Sequence, residues 1–176
     1  LTNLNLLGNH ISVDGATSIA KALKDNKKLT HLELHRNDIR DKGAISIAEA
    51  IKVNKTLSNL NLSNNGILVA GATSIAEAIK GNETITNLKL RNNRICNEGA
   101  KSIAEAIKVN KKLTNLDLSG NSISDAGAKC IAEAMKINKT LTDLDLFDNN
   151  ISAEIFERLV SQKRIFLQSK KDIFLQ

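Results

Sequence analysis

The sequence predicts a right-handed α/β solenoid, a horseshoe with a parallel β-sheet on the concave face and α-helices on the convex face. Three observations carry this reading. The chain repeats every 28 residues, with Leu1, Leu29, Leu57, Ile85, Leu113 and Leu141 opening six copies, and a fixed period of this size marks a repeat array. The first half of each copy alternates apolar and polar residues, which is the spacing of a strand with one buried face. The second half switches to helical spacing, and strand–helix–strand units with right-handed connections place their strands in parallel.

The strand positions come first in each copy. Leu4 and Leu6, Leu32 and Leu34, Leu60 and Leu62, Leu88 and Leu90, Leu116 and Leu118, and Leu144 and Leu146 alternate with polar residues. An asparagine follows each strand, giving the column Asn9, Asn37, Asn65, Asn93, Asn121 and Asn149. Asparagine has both donor and acceptor groups on a short stem, so this ladder is structural and satisfies the backbone where each strand turns. The helices show one apolar stripe each, as in Ala72, Ile75, Ala76 and Ile79. Asp41, Asn97 and Asp125 precede Gly-Ala pairs, where an N-cap is expected, whereas Val13 and Val69 lack that chemistry. Asn26, Asn54, Asn82, Asn110 and Asn138 close the helices, in a place that suits a left-handed C-terminal turn. Strands pack about 4.8 Å apart and helices about 8–10 Å apart, so the array must curve toward its sheet.

Residues 1–152 form the repeat array and residues 153–176 a C-terminal capping helix and tail. The helical segment of the sixth copy has Ile155 in place of glycine, and Ile155, Phe156, Leu159 and Val160 are expected to cover the last apolar face. An imperfect duplication, SQKRIFLQ then SKKDIFLQ, ends the chain. Its IFL clusters, with Phe166 and Phe174, either complete the cap or bind a partner or a second copy. No cap precedes Leu1, and the open apolar edge there suggests a truncated array with weak self-association through that edge or the tail.

Composition narrows the function classes. Aromatic residues make up only 2% of the chain, so the core is aliphatic. The two cysteines, Cys96 and Cys130, occupy different repeat positions and read as unpaired thiols of a reducing, cytoplasmic compartment. A membrane span would need roughly 18 consecutive apolar residues, and no such run exists. The net charge of +6 invites a nucleic-acid reading. Against it, Lys52, Lys80, Lys108 and Lys136 each follow Glu49, Glu77, Glu105 and Glu133 by three residues, the pattern of a solvated helix face. A phosphate-binding surface would want unpaired cations and stacking aromatics.

No phosphate loop, HExxH, CxxC or GxSxG motif occurs, and the chain is expected to be neither an enzyme nor a cofactor binder. His31, Glu33 and His35 share one strand face, but the two imidazoles would stand roughly 13 Å apart, too far for one metal. Their neighbours Asn3, Asn5, Asn59 and Asn61 are poor zinc ligands, so no metal is expected.

Information about function lies on the concave face, where the copies stop agreeing. The outward strand positions run from Asn3, Asn5 and Leu7 through His31, Glu33 and His35, then Asn59, Asn61 and Ser63. They continue with Asn87, Lys89 and Arg91, Asn115, Asp117 and Ser119, and Asp143, Asp145 and Phe147. The candidate partner-binding residues are His31, Glu33, His35, Arg36, Lys89, Arg91, Asp117, Asp143, Asp145 and Phe147. An aromatic ringed by carboxylates suits a basic group of a partner protein.

LxxLxLxxN repeats with a helical second half and this period resemble the leucine-rich-repeat family, of the ribonuclease-inhibitor-like subclass. The GAxxIAxAI halves also resemble repeats of innate-immune receptors, the Ran GTPase-activating protein and bacterial effectors. The resemblance implies a horseshoe that binds proteins on its concave face. It also leaves two alternatives open, a GTPase-activating or effector-type regulator, which would act in a host cytoplasm if bacterial, and a self-assembling structural array.

Overall fold

The computed structural model describes the backbone of residues 1–161 and the side chains of residues 1–159. The IFL clusters, Phe166, Phe174 and the side chain of Val160 lie outside the described residues. Strands and helices alternate: β1 (Asn3–Asn5), α1 (Ser12–Asp25), β2 (His31–Glu33), α2 (Arg40–Val53), β3 (Asn59–Asn61), α3 (Val69–Gly81), β4 (Asn87–Lys89), α4 (Cys96–Val109), β5 (Asn115–Asp117), α5 (Asp125–Ile137), β6 (Asp143–Asp145) and α6 (Ala153–Ser161). The strands form one parallel sheet in sequence order, and each residue pairs with its equivalent one repeat later, as Leu32 with Leu60 and Leu60 with Leu88.

Between sheet and helices runs a continuous aliphatic core. Leu34, Leu62, Leu90 and Leu118 are fully buried from the sheet side, and Ile47, Ile75, Ile103 and Ile131 from the helix side. Buried alanines such as Ala48, Ala76 and Ala104 let neighbouring helices approach closely. At the C-terminal end α6 adds Ile155 and Leu159 to this core.

Two ladders of buried asparagines stitch the copies together. In the ladder after the strands, Asn93 Oδ1 accepts the Asn65 and Ile67 backbone N–H groups at 3.1 and 3.0 Å. Its Nδ2 donates to Leu62 O at 3.1 Å and Leu90 O at 2.9 Å. Asn37, Asn65 and Asn149 repeat this pattern, so each side chain fills backbone needs of the preceding copy. The second ladder lies where helices end. Asn110 Nδ2 donates to Ile79 O at 2.6 Å and Asn82 O at 3.1 Å, both in the previous copy. Its Oδ1 accepts the Lys112 and Leu113 N–H groups at 2.8 and 2.7 Å. The expected left-handed turn at these positions is therefore corrected. Asn26, Asn54, Asn82, Asn110 and Asn138 are extended, with φ between −77° and −65° and ψ between 124° and 135°. The side chain does what a left-handed turn would otherwise do for the orphan carbonyls.

The expected N-caps are corrected as well. Asp41, Asn97 and Asp125 do not cap their own helices; each caps the helix of the following copy. Asp41 Oδ1 accepts the N–H groups of Leu68 and Gly71 at 2.7 and 2.9 Å, and Asn97 Oδ1 those of Ser124 and Gly127 at 2.9 and 3.2 Å. Asp125 takes the Ser152 N–H at 2.7 Å, a bond that holds its carboxyl below the usual carboxylate range. Gly71 is needed for this approach, because a Cβ there would lie 2.7 Å from Asp41 Oδ1. Where Val13 or Val69 replaces the cap, the entry residue of the next helix changes conformation. Arg40 and Cys96 turn left-handed, with φ of 54° and 56°, and donate their N–H groups to Asn65 O and Asn121 O instead.

Two stability measurements check these couplings. Asn110→Ala strands the Ile79 and Asn82 carbonyls and the buried Leu113 N–H, and urea unfolding is expected to show a loss of roughly 2–4 kcal/mol. Asn9→Ala, whose amide reaches only Leu7 O among the described residues, is expected to cost well under half of that. Asp41→Ala removes the cap of α3 and is expected to cost about 1 kcal/mol, most of which Asp41→Asn restores.

Candidate functional site

The strand face away from the helices carries a row of side chains in direct register: Asn5, Glu33, Asn61, Lys89, Asp117 and Asp145. A parallel row holds Asn3, His31, Asn59, Asn87, Asn115 and Asp143. Side chains of neighbouring strands at equal register are close enough to interact, so the rows fix which charges meet.

At the C-terminal end of these rows lies a cavity of about 260 Å³. Lys89, Asp117, Asp143 and Asp145 line it, with Asn87 and Asn115 at its side and the buried Leu116 as floor. Part of this acidity is internally satisfied. Asp143 Oδ2 accepts Asn115 Nδ2 at 2.9 Å, Asp117 Oδ1 accepts the Ser119 N–H and hydroxyl at 2.9 and 2.6 Å, and Asp145 Oδ1 accepts the Phe147 N–H at 2.8 Å. No ion pair joins Lys89 to any of these carboxylates among the described residues. Burial pushes the Asp145 carboxyl above the usual range, and the Asp117 and Asp143 charges push the same way, against the Phe147 N–H and Arg91. Three carboxylates therefore share two adjacent strands, with Lys89 as the cation that lines the cavity with them.

Toward the N-terminal end the candidates pair among themselves. Glu33 Oε2 accepts Asn61 Nδ2 at 2.6 Å and stands 3.2 Å from His35 Nδ1. His31 contacts Asn59 Nδ2 through Nε2 at 3.0 Å and Thr30 Oγ1 through Nδ1 at 2.8 Å. His31, Glu33 and Lys89 line a smaller cavity of about 60 Å³. Among the described residues no group of three His, Cys, Asp or Glu side chains could hold a metal ion.

Geometry thus joins Lys89, Asp117, Asp143 and Asp145 in one cavity, with Arg91 acting on its electrostatics. Phe147, 40% exposed, follows β6, and Arg36 stands apart in the loop after β2. Three positions expected to be exposed on the strands are corrected: Asn61, Ser63 and Ser119 are buried. Their short polar groups fold back, Asn61 Oδ1 onto the Ser63 N–H and the Ser119 hydroxyl onto Asp117. Sequence reasoning passed over Asn87 and Asn115, which look generic in the repeat yet line the cavity. The one signal for them is their register with Asp143. On the opposite, helical side, Lys52, Lys108 and Lys136 bond Glu49, Glu105 and Glu133 at 2.5–2.6 Å, and Lys80 bonds Glu77. The lysine bonds hold Glu49, Glu105 and Glu133 below the usual carboxylate range.

Comparison with known proteins follows this geometry. The TMOD/LMOD leucine-rich domain family matches residues 1–98, and the leucine-rich-repeat family matches residues 109–132 and 138–159. Among solved structures, the chain is similar to leiomodin-1 actin-binding site 2, at 25% identity over 77% of this chain and 81% of that one, with a TM-score of 0.63. It is also similar to the tropomodulin C-terminal domain of Caenorhabditis elegans, at 22% identity over 78% of this chain and 84% of that one, with a TM-score of 0.66. No curated protein matches the sequence. With more than half of its residues matched, this chain belongs to the leucine-rich-repeat proteins, in the TMOD/LMOD leucine-rich domain family.

Proposed function

We propose that this chain is a protein-recognition module that binds actin through the concave face of its sheet. The observation that carries the reading is the cavity between β4 and β6, where Asp117, Asp143 and Asp145 gather near the exposed Phe147. Such a surface takes a basic side chain of a partner, with Phe147 packing against its aliphatic stem. Lys89 and Arg91 supply the opposite sign one or two strands away, which would fix the orientation of the partner. His31, Glu33, His35 and Arg36 extend the same contact toward the N-terminal repeats. The similarity to a structure described as an actin-binding site supports actin as the partner class.

Rigid strands present these groups, so little ordering is needed on association. Helix α6 serves as the cap of the array, a role supported by the burial of Ile155 and Leu159. The two free thiols suit a cytoplasmic setting, and no described helix is long and apolar enough to cross a membrane. The 28-residue period with helices on the outer side supports the ribonuclease-inhibitor-like subclass.

Charge reversal at Asp143 and Asp145 combined with Phe147→Ala is expected to weaken actin capture at least tenfold, measured by co-sedimentation. Undiminished capture would remove this face from consideration. A second measurement concerns stability. The folded-state pKa of Asp145 lies above its unfolded value, so the native state holds more protons between the two, and stability falls as pH rises through that window. Asp145→Asn, which retains an acceptor for the Phe147 N–H, is expected to raise the thermal midpoint at pH 7 and to flatten this slope, while weakening actin binding.

A further inference from the structure

A second surface lies on the rim where strands turn into helices. A groove of about 540 Å³ crosses the loops of the second to fifth copies. Arg40 and Arg94 stand on it with Asp38, the exposed Leu68 lies between the copies that supply the arginines, and Gly66 and Gly120 contribute no side chain to the groove. Neither guanidinium has a carboxylate partner within ion-pair distance among the described residues.

Left-handed backbone recurs in the loops of this rim. The first loop residue of each copy is left-handed, and the copies place Gly8, Asn64, Asn92, Gly120 and Asp148 there, residues that tolerate positive φ. The second copy instead places Arg36 at φ 60°, then Asp38 at 54° and Arg40 at 54°. The first copy repeats the same three left-handed positions at Gly8, His10 and Ser12, so the conformation belongs to the fold, but the second copy fills two of the three with arginine. Arginine gains nothing from a left-handed turn that glycine or asparagine would not give, so the turn does not account for the choice of residue. Arg40 also lays its stem toward Gly66, whose Cβ would sit 4.0 Å from Arg40 Cγ, so the missing side chain keeps the groove open.

We infer that this rim groove docks an acidic segment of a partner protein, with carboxylates on Arg40 and Arg94 and an aliphatic side chain on Leu68. The guanidinium fork matches a carboxylate in two parallel hydrogen bonds. Asp38 repels a continuous polyanion but tolerates two separated carboxylates, and the groove has no aromatic platform for bases. This surface is separate from the concave cavity, and its sign is opposite.

The test is fluorescence anisotropy with a labelled, end-capped acidic peptide of sequence EDLDE against the whole chain. Saturable binding that weakens with salt is expected, with a loss of about tenfold for each guanidinium removed in R40E and R40E/R94E. The D143N/D145N variant is expected to bind the peptide as the parent does, which separates this surface from the concave one. R40N relieves the backbone strain, so it is expected to raise the thermal midpoint while weakening the peptide. Absence of peptide binding, equal binding by R40E/R94E, or a lowered midpoint in R40N would each overturn the inference. Displacement of the peptide by a single-stranded oligonucleotide at lower concentration would overturn it in favour of a nucleic acid.

Discussion

Everything in this structure depends on backbone groups that no single repeat can satisfy. Each copy bends twice, once after its strand and once after its helix, and both bends leave buried N–H and C=O groups without local partners. The asparagine of a neighbouring copy supplies them: Asn93 serves Leu62, Asn65 and Ile67, and Asn110 serves Ile79 and Asn82. Leaving such groups unpaired in an aliphatic interior is more costly than the net gain of making the bonds. The ladders therefore act chiefly as a condition for stacking, and stacking in turn buries both sides of every leucine and isoleucine layer. Among the described residues no buried side-chain polar atom lacks a partner, so the asparagine side chains are themselves fully used.

That division of labour leaves the outward strand face free to vary. Leucines, alanines and asparagines repeat because the interior admits few substitutes, whereas the residues between the leucines of a strand touch no core. Charge accumulates there unevenly, with Lys89 and Arg91 on one copy and Asp143 and Asp145 two copies later. Burial, joined by the neighbouring Asp117 and Asp143, raises the Asp145 pKa, so the charged form of this residue gains nothing from folding. The paired glutamates and lysines of the helical side are the contrast, since each charge there has a neighbour of opposite sign one turn away.

Periodicity made the fold legible. The phase of the leucines alone determined the strands, their register and the helical side, because one period leaves one way to stack. Polar side chains were harder, since spacing says where a residue stands but not which copy it serves. Asp41 and Asn97 sit at the start of a helix and look like its caps, yet their oxygens reach the helix of the next repeat. The helix-end asparagines likewise look like left-handed terminators and are extended instead. Ser63 and Ser119 looked outward by alternation but lie buried under their neighbours, because a short hydroxyl can return to the strand that a lysine would leave. The rim loops were opaque for a related reason: the sign of φ at Arg36 and Arg40 follows from hydrogen bonds across copies, which a linear pattern does not display.

The central claim is that recognition belongs to the concave carboxylates and not to the carboxylates of the helical side. Carboxyl footprinting by mass spectrometry, with and without actin, addresses it directly. Asp117, Asp143 and Asp145 are expected to lose reactivity in the complex, while Glu49, Glu77, Glu105 and Glu133 keep theirs. Protection of the glutamates with unchanged labelling of the three aspartates would contradict the account.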